Sequence, residues 1–360
     1  MNSPNSSQAR NDSPEKGYNV DIPDEVTELI QTICIVYIFP VVSVFGILAN
    51  SMNMCIYYKH GMSESVNISF LTLAFTDLAG LVCCLWYGIG ISPLLASRKD
   101  LGFDSMDVAF ITGAFPRVSI SKVTLWITVY ISLERCYCIV APLHVKTLIT
   151  PRTTILILTV LYVIGVLIGF PVLYIGVLFL YWNTDSVHNR SFLAMGYRED
   201  YFSVNNVVTP IIFTSFIASF VVLIVSTITL TAALQRKTKW RTSKNTVVQA
   251  NNLSRRDTTL SKTIIILSAV LIVCYLPYTI NTILLATIDG FTLYGKYNNF
   301  FVVMWTFSWL FETLNSAITI FIYYNMSTKY KETFREVMPS FHGTLLETWT
   351  RQCHTNLKRV

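Results

Sequence analysis

Seven long apolar segments, separated by polar ones, dominate the sequence. Each contains a run of about 20 apolar residues, the length that an α-helix needs to cross the hydrocarbon core of a bilayer. A polar stretch of 28 residues precedes the first segment, so we interpret this segment as a membrane span and not as a cleaved signal peptide. The pattern predicts an all-α membrane protein with seven helices. The segments cover roughly residues 29–58, 66–91, 108–140, 153–181, 207–234, 263–288 and 300–324.

The composition agrees with a membrane protein. Apolar residues make up 52% of the chain and charged residues 13%, with a mean hydropathy of +0.50, whereas soluble domains carry about a quarter charged residues. With the N-terminus placed outside, 17 of the 27 Lys and Arg residues fall on the cytoplasmic side and 7 on the outer side. Because cytoplasmic loops are enriched in these residues, we expect an extracellular N-terminus and a cytoplasmic C-terminus. The net charge of +6 reflects this topology and does not indicate nucleic-acid binding.

Three Asn-x-Ser sequons fall on the predicted outer side, at Asn5, Asn11 and Asn189. Such sequons accept N-linked glycans in extracellular segments. Pro14, close after the Asn11 sequon, disfavours modification there. Because the three sequons lie on the predicted outer side, we expect a glycoprotein.

Glu134 and Arg135 stand together where the third apolar segment meets a polar one. Charges in or beside hydrocarbon are costly unless they pair or reach water, and they often mark a functional site. The arginine can pair with the adjacent glutamate and with a second acid from another helix. Since such a pair can be broken and remade, the two residues are candidates for a conformational switch.

Several motifs, in this order and spacing, resemble those of rhodopsin-like (class A) G-protein-coupled receptors. The resemblance covers about Cys34 to Met338 and implies a seven-helix bundle over residues 29–324. An extracellular tail (1–28) would precede the bundle, and an amphipathic helix 8 (325–339) and a cytoplasmic tail (340–360) would follow it. The motifs are Gly46–Asn50, Leu73–Asp77, Glu134–Cys136, Pro142–Leu143, Cys274–Pro277, Asn315–Ser316 and Tyr323.

The resemblance also implies partners and a location. A multi-pass receptor in the plasma membrane would bind an extracellular small-molecule or peptide ligand and activate a heterotrimeric G protein, with arrestin and a kinase as further partners. An enzyme is not expected, because the five histidines are scattered through predicted loops and tails. A transporter is disfavoured because the sequence lacks an internal repeat and paired broken helices.

The resemblance supplies further parts of the switch. Pro277 interrupts the hydrogen-bond ladder of the sixth segment and predicts a hinge, and Tyr323 closes the seventh segment. Asp257, twenty residues before Pro277, occupies the family's position for a second partner of Arg135. The alternative is that Asp257 only caps its helix.

Asp77 lies near the predicted middle of the bilayer and needs polar neighbours. The family pattern places Asn50, Thr124, Asn315 and Ser316 around it, where relatives often hold a sodium ion. Water molecules are the alternative. No other cofactor is expected.

Arg117 lies 18 residues before Arg135, about 27 Å away along a helix and near its outer end. Ser121 shares the helix face of Arg117, whereas Lys122 lies on another face. In the family this position of Arg117 faces the ligand cavity, and a guanidinium there favours an acidic ligand. In the alternative, Glu312 of the seventh segment neutralises Arg117 or Lys122 internally.

Three aromatic residues complete the predicted ligand site. Tyr275 replaces a tryptophan that often precedes the hinge proline, and Tyr278 and Trp309 project from neighbouring positions. Aromatic residues at helical spacing more often serve packing than recognition, and the chain contains 19 Tyr and 22 Phe.

None of the eight cysteines lies in a predicted outer loop. Phe110 occupies the place of the family's third-helix cysteine, so we expect no disulfide there. The second outer loop, about residues 182–206, would then be held by noncovalent contacts.

The finer resemblance is to molluscan chemosensory receptors of this class. It rests on Glu134–Ile139, Pro142–Lys146, Ile149–Arg152 and Phe321–Ser327. A chemosensory receptor for a small, anionic ligand is therefore one hypothesis. A neuropeptide receptor of the FMRFamide-like kind is the other, although such receptors usually keep the outer disulfide.

Overall fold

The computed structural model describes residues 22–98, 100–141, 148–174, 178–185, 190–198, 201–243, 251–293 and 295–338. Within this part of the chain, seven long helices form a bundle and a short helix follows them. They are α1 (Asp24–Lys59), α2 (Ser65–Ile91), α3 (Ser105–Val140), α4 (Pro151–Tyr174), α5 (Tyr201–Ser243), α6 (Asn251–Thr287), α7 (Asn298–Met326) and the short α8 (Thr328–Val337). A single turn of helix, Pro93–Ala96, lies between α2 and α3.

The lengths and surfaces of these helices fit a bilayer. Within the described residues, five segments are long and apolar enough to cross a membrane, and α4 and α7 complete the bundle. Val41, Leu48 and Val273 are all more than half exposed. Such a surface would favour aggregation in water but is favourable against lipid. The predicted seven-helix membrane fold is confirmed. The five segments are Asp24–Lys59, Ser65–Ile91, Ser105–Val140, Pro210–Lys239 and Thr258–Thr287.

Two of the helices change their winding just before a proline. In α1, a π-helical stretch, Thr32–Ile38, connects Asp24–Gln31 to Phe39–Lys59. In α3, the stretch Phe110–Ala114 connects Ser105–Ala109 to Phe115–Val140. Each π stretch ends two residues before a proline, Pro40 or Pro116. A proline ring has no N–H group and clashes with the carbonyl four residues earlier, so a wider turn relieves the conflict.

Some predicted boundaries differ from the structure. The fourth apolar run, 153–181, divides into α4 and the start of a β-strand, β1 (Leu178–Asp185), because hydropathy alone cannot separate a buried helix from a strand. The helices α5 and α6 extend beyond their apolar runs, since an apolar run marks only the part of a helix within the bilayer.

An antiparallel hairpin of β1 and β2 (Arg190–Tyr197) forms the second outer loop. Three hydrogen bonds attach it to the start of α3. The N–H of Asp104 donates to the Leu193 carbonyl at 2.7 Å, and the N–H of Leu193 donates to the Gly102 carbonyl at 2.9 Å. The N–H of Met195 donates to Asp107 Oδ2 at 2.9 Å. The family resemblance predicts no disulfide at this place in this chain, and all seven described cysteines are free.

Candidate functional site

A cavity of about 390 Å³ opens in the half of the bundle that is predicted to lie outside. This volume lies in the range of small-molecule sites. The cavity is bordered by α1, α2, α3, α5, α6 and α7, and Lys122 is the one formally charged residue among its described lining residues. The aromatic lining residues are Tyr87, Phe110, Phe115, Phe213, Tyr278, Phe301, Trp305 and Trp309.

The residues predicted to bind a ligand fall into two groups. Lys122, Tyr278 and Trp309 line the cavity. The other four residues belong to a buried polar layer behind the cavity wall, which we call the charged layer: Arg117, Ser121, Tyr275 and Glu312.

Arg117 and Glu312 form the centre of the charged layer. Arg117 Nη2 lies 3.9 Å from Glu312 Oε2, and the two side chains are 4% and 3% exposed. Arg117 Nε donates to Cys84 Sγ at 3.1 Å. A Cβ atom at Gly80 would lie 3.0 Å from Arg117 Nη1. The glycine therefore leaves room for the guanidinium to turn towards α2 instead of into the cavity.

Ser121 and Tyr275 tie Glu312 to the rest of the bundle. Ser121 Oγ donates to Glu312 Oε2 at 2.6 Å and lies 3.0 Å from the Tyr275 hydroxyl. Lys122 is also within electrostatic reach of Glu312. This geometry favours the internal alternative for Arg117, and its contact with a ligand stays a prediction.

Asp77 lies deeper in the bundle, close to the charged layer. Its Oδ1 accepts hydrogen bonds from Thr124 Oγ1 at 3.3 Å and Ser316 Oγ at 3.0 Å. The predicted neighbours Asn50 and Asn315 are buried as well, and Asn50 Nδ2 donates to the Ser316 carbonyl at 2.8 Å. Hydroxyl and carboxylate oxygens suit a hard cation, so Asp77, Thr124 and Ser316 fit a sodium ion.

Two features of the surroundings disfavour a sodium ion at Asp77: the hydrogen bonds of Asn50 and the positive charge of Arg117. Asn50 Oδ1 accepts from Asn53 Nδ2 at 3.2 Å and from Thr319 Oγ1 at 3.4 Å, so it is already engaged. The Arg117 guanidinium is close enough to attract Asp77 electrostatically and would repel a second cation.

The predicted switch lies near the C-terminal end of α3. Arg135 Nη2 donates to Glu134 Oε1 at 2.5 Å, and Glu134 is fully buried. Ser132 Oγ lies 2.8 Å from Ser268 Oγ and connects α3 to α6. Pro277 is inside α6, and its role as a hinge stays a prediction. Asp257 belongs to the first turns of α6, where its side chain lies outside the described part of the structure.

Comparison with known proteins decides the family. Residues 49–328 match the 7 transmembrane receptor (rhodopsin family), which is well over half of the chain. The chain belongs to the rhodopsin family of seven-transmembrane receptors. The predicted resemblance is thereby confirmed, as is the prediction that this receptor is not an enzyme.

Two relatives are similar to this receptor at low identity. A galanin-like G-protein coupled receptor, npr-9 of Caenorhabditis elegans, is 26% identical over 145 residues, which cover 38% of this chain and 30% of the relative. Cannabinoid receptor type 1B of Takifugu rubripes is 24% identical over 324 residues, or 87% of this chain and 65% of the relative. The chain thus spans less than two thirds of either relative.

A tyrosine cluster surrounds Tyr323 near the C-terminal end of α7. The Tyr323 ring contacts Tyr57, Phe70 and Tyr330 at centroid distances of 5.2 to 5.7 Å. Its hydroxyl is buried and has no hydrogen-bond partner among the described residues. The tyrosine predicted to close the seventh segment therefore packs α7 against α1, α2 and α8.

Sequence reasoning missed three parts of the site. Cys84 gave no signal as a partner of Arg117, because nothing in the local sequence marks a sulfur acceptor. Trp305 stands one helical turn before Trp309, so the spacing could have indicated it. Asp107 anchors the hairpin through a contact distant in sequence.

Some predicted features lie outside the described residues. They are the sequons Asn5, Asn11 and Asn189 and the tail 340–360.

Proposed function

We propose that this receptor lies in the plasma membrane with its N-terminus outside, binds an extracellular ligand and activates a heterotrimeric G protein. Family membership supports the signalling role. The excess of Lys and Arg in the predicted inner loops supports the orientation. We propose glycans at Asn5, Asn11 and Asn189, and arrestin and a kinase as further cytoplasmic partners.

The Glu134–Arg135 pair is the observation that carries the signalling proposal. Glu134 Oε2 and Arg135 Nε are buried without hydrogen-bond partners among the described residues, so the pair is incompletely satisfied and can be rearranged. We propose Asp257 as the second partner of Arg135. Outward movement of α6 about Pro277 would then separate the partners and open a cytoplasmic cleft for the G protein.

The balance of charges inside the bundle favours a ligand whose buried part carries no net charge. Asp77 and Glu312 balance Arg117 and Lys122, and all four side chains are at most 6% exposed. An added ion would leave an unbalanced charge in a low-dielectric interior. A largely aromatic or apolar ligand therefore fits best, and the two relatives, a galanin-like receptor and a cannabinoid receptor, are consistent with it.

A small acidic ligand, as in the chemosensory hypothesis, is a second candidate. Its support is the position of Lys122 on the cavity wall. The two relatives lend this hypothesis no support.

A ligand screen in cells tests the proposal. The full chain is expressed with a panel of G proteins and exposed to amidated peptides, lipid amides, and amino and carboxylic acids. Dissociation of the G-protein subunits is measured by resonance energy transfer between labelled subunits. We expect a response to an uncharged class and its loss in Arg135→Ala. Arg98→Ala is the matched control, because Arg98 pairs with Asp100 on the exposed outer surface. A response that Arg135→Ala leaves unchanged would remove Arg135 from the signalling mechanism.

We propose that Asp77 functions without a bound sodium ion, because Arg117 already offers it a positive charge. The midpoint of thermal unfolding should then be the same in sodium chloride and in choline chloride at equal ionic strength. A higher midpoint in sodium that disappears in Asp77→Asn would establish the ion instead.

A further inference from the structure

Two atoms of the charged layer lack a hydrogen-bond partner among the described residues. They are Arg117 Nη2, a donor, and Glu312 Oε1, an acceptor. Both side chains are more than nine-tenths buried, and Nη2 lies 3.9 Å from the other carboxylate oxygen, Oε2. Buried charged groups with unmade hydrogen bonds are costly, so this donor and acceptor together mark a place where a polar group would be stabilised.

This donor–acceptor pair lies next to the cavity. Glu312 follows the cavity-lining Trp309 by three residues, about 4.5 Å deeper along α7. Lys122, which also lines the cavity, is within electrostatic reach of Glu312. Arg117 and Glu312 lie behind the described cavity wall, so a ligand group would reach the pair by displacing the side chains of Lys122 and Trp309.

The pair discriminates between polar groups by charge. A carboxylate would bond to Arg117 but would be repelled by Glu312, and an ammonium group would have the opposite conflict. A primary carboxamide has no net charge, and its oxygen and nitrogen lie roughly 2 Å apart on one carbon. Lying alongside the pair, it accepts from Arg117 Nη2 with its oxygen and donates to Glu312 Oε1 with its nitrogen.

We propose that Arg117 and Glu312 form a subsite for a neutral primary carboxamide whose aromatic or apolar body fills the cavity. The proposal rests on the proposed function, in which this cavity takes the extracellular ligand. A cavity of about 390 Å³ accommodates the end of a peptide or a small amphiphile. The C-terminal amide of an amidated peptide and the head group of a fatty amide share this chemistry.

Binding of matched probes to the purified full chain in lipid nanodiscs tests the subsite. The aromatic probes are N-acetylphenylalaninamide, N-acetylphenylalanine and phenethylamine, and octanamide represents the fatty amides. Binding is measured as the rise in the midpoint of thermal unfolding with probe concentration. We expect an amide to bind at least roughly tenfold more tightly than the acid or the amine, since one lost hydrogen bond to a charged group changes affinity by about that factor or more. The amide that binds better identifies the source, and either one supports the subsite.

Single substitutions should change the preference and not merely abolish binding. Glu312→Leu removes the acceptor and leaves the guanidinium, so the acid probe should become the preferred one. Arg117→Met leaves the carboxylate, so the amine probe should become preferred. A gain of binding for a new probe cannot result from misfolding. The double variant Arg117→Met/Glu312→Leu replaces the pair by apolar side chains, which proteins often tolerate, and should bind no probe preferentially.

Arg98→Gln is the matched control, because Arg98 pairs with Asp100 on the exposed surface and does not line the cavity. It should keep the preference for the amide. Three results would overturn the subsite. The wild-type chain could bind the acid most tightly and lose that binding in Lys122→Gln, or both single variants could still prefer the amide. The third is an unfolding midpoint that neither amide raises at millimolar concentration. Amide binding with the expected change of preference, but without G-protein activation, would support the subsite while contradicting the proposed coupling.

Discussion

Tyr323 and Tyr330 show how two buried hydroxyl groups in one cluster can differ. Both rings are almost completely buried and contact each other at 5.7 Å between centroids. The Tyr330 hydroxyl donates to Asn53 Oδ1 at 2.5 Å, which connects α8 to α1. The Tyr323 hydroxyl has no such partner among the described residues. The same residue type therefore contributes a hydrogen bond at one position and mainly ring packing at the other.

Tyr330→Phe should lower the free energy of unfolding by about 1–3 kcal/mol, because it leaves the buried Asn53 oxygen with one hydrogen bond fewer. Tyr323→Phe is the matched control and should leave stability within about 0.5 kcal/mol of wild type. The measurement is thermal or denaturant unfolding of the purified receptor. Equal losses in the two variants would contradict the assignment of the hydrogen bond to Tyr330.

At the scale of elements, the hairpin β1–β2 is held to α3 by backbone groups and one carboxylate. Asp107 Oδ2 accepts from the Met195 N–H, and Asp104 Oδ1 accepts from the N–H groups of Met106 and Asp107 and so caps the first turn of α3. A covalent link would fix this loop permanently, whereas these bonds can open and close. The hairpin is therefore attached reversibly.

Asp107→Ala should speed amide hydrogen exchange of Met195 by roughly tenfold or more, since a hydrogen bond to a charged group contributes about 1.5–3 kcal/mol. Mass spectrometry of peptides that contain residues 190–197 measures it. The matched control is Asp100→Ala, because Asp100 is exposed and pairs only with Arg98 among the described contacts. Unchanged exchange in Asp107→Ala would show that the other backbone bonds hold the hairpin alone.

At the scale of the whole molecule, polarity is arranged along the bundle axis. The outer half contains the aromatic cavity, the middle contains the charged layer and Asp77, and the inner end contains Glu134 and Arg135. A layer of buried polar groups thus lies between the cavity and the proposed switch. A ligand that binds one arrangement of this layer more tightly would shift the population of the receptor towards it.

The proposed orientation predicts where glycans attach. Digestion with an N-glycosidase should lower the apparent mass of the receptor expressed in animal cells. Replacement of Asn5, Asn11 and Asn189 by Gln should remove that change. The sequons at Asn67, Asn252 and Asn325 lie on the proposed cytoplasmic side and serve as controls. A mass change that persists in the triple variant would contradict the orientation.

The sequence by itself determined the seven helices, because an apolar run of about 20 residues that crosses a bilayer satisfies its own backbone hydrogen bonds as an α-helix. It also indicated that Arg117, Lys122 and Glu312 are candidate site residues, since charged side chains inside a membrane are rare. The division of the fourth apolar run into α4 and β1 was not predictable, because hydropathy does not encode hydrogen-bond direction.

Only the tertiary structure decided which of these residues meet. The space at Gly80 and the sulfur of Cys84 turn Arg117 away from the cavity, and Lys122 lines the wall instead. A helical pattern assigns a side chain to a face, but the end of a long side chain reaches whichever partner the neighbouring helices offer. Packing between helices distant in sequence therefore determined the lining of the candidate ligand cavity, while local sequence determined the helices that carry it.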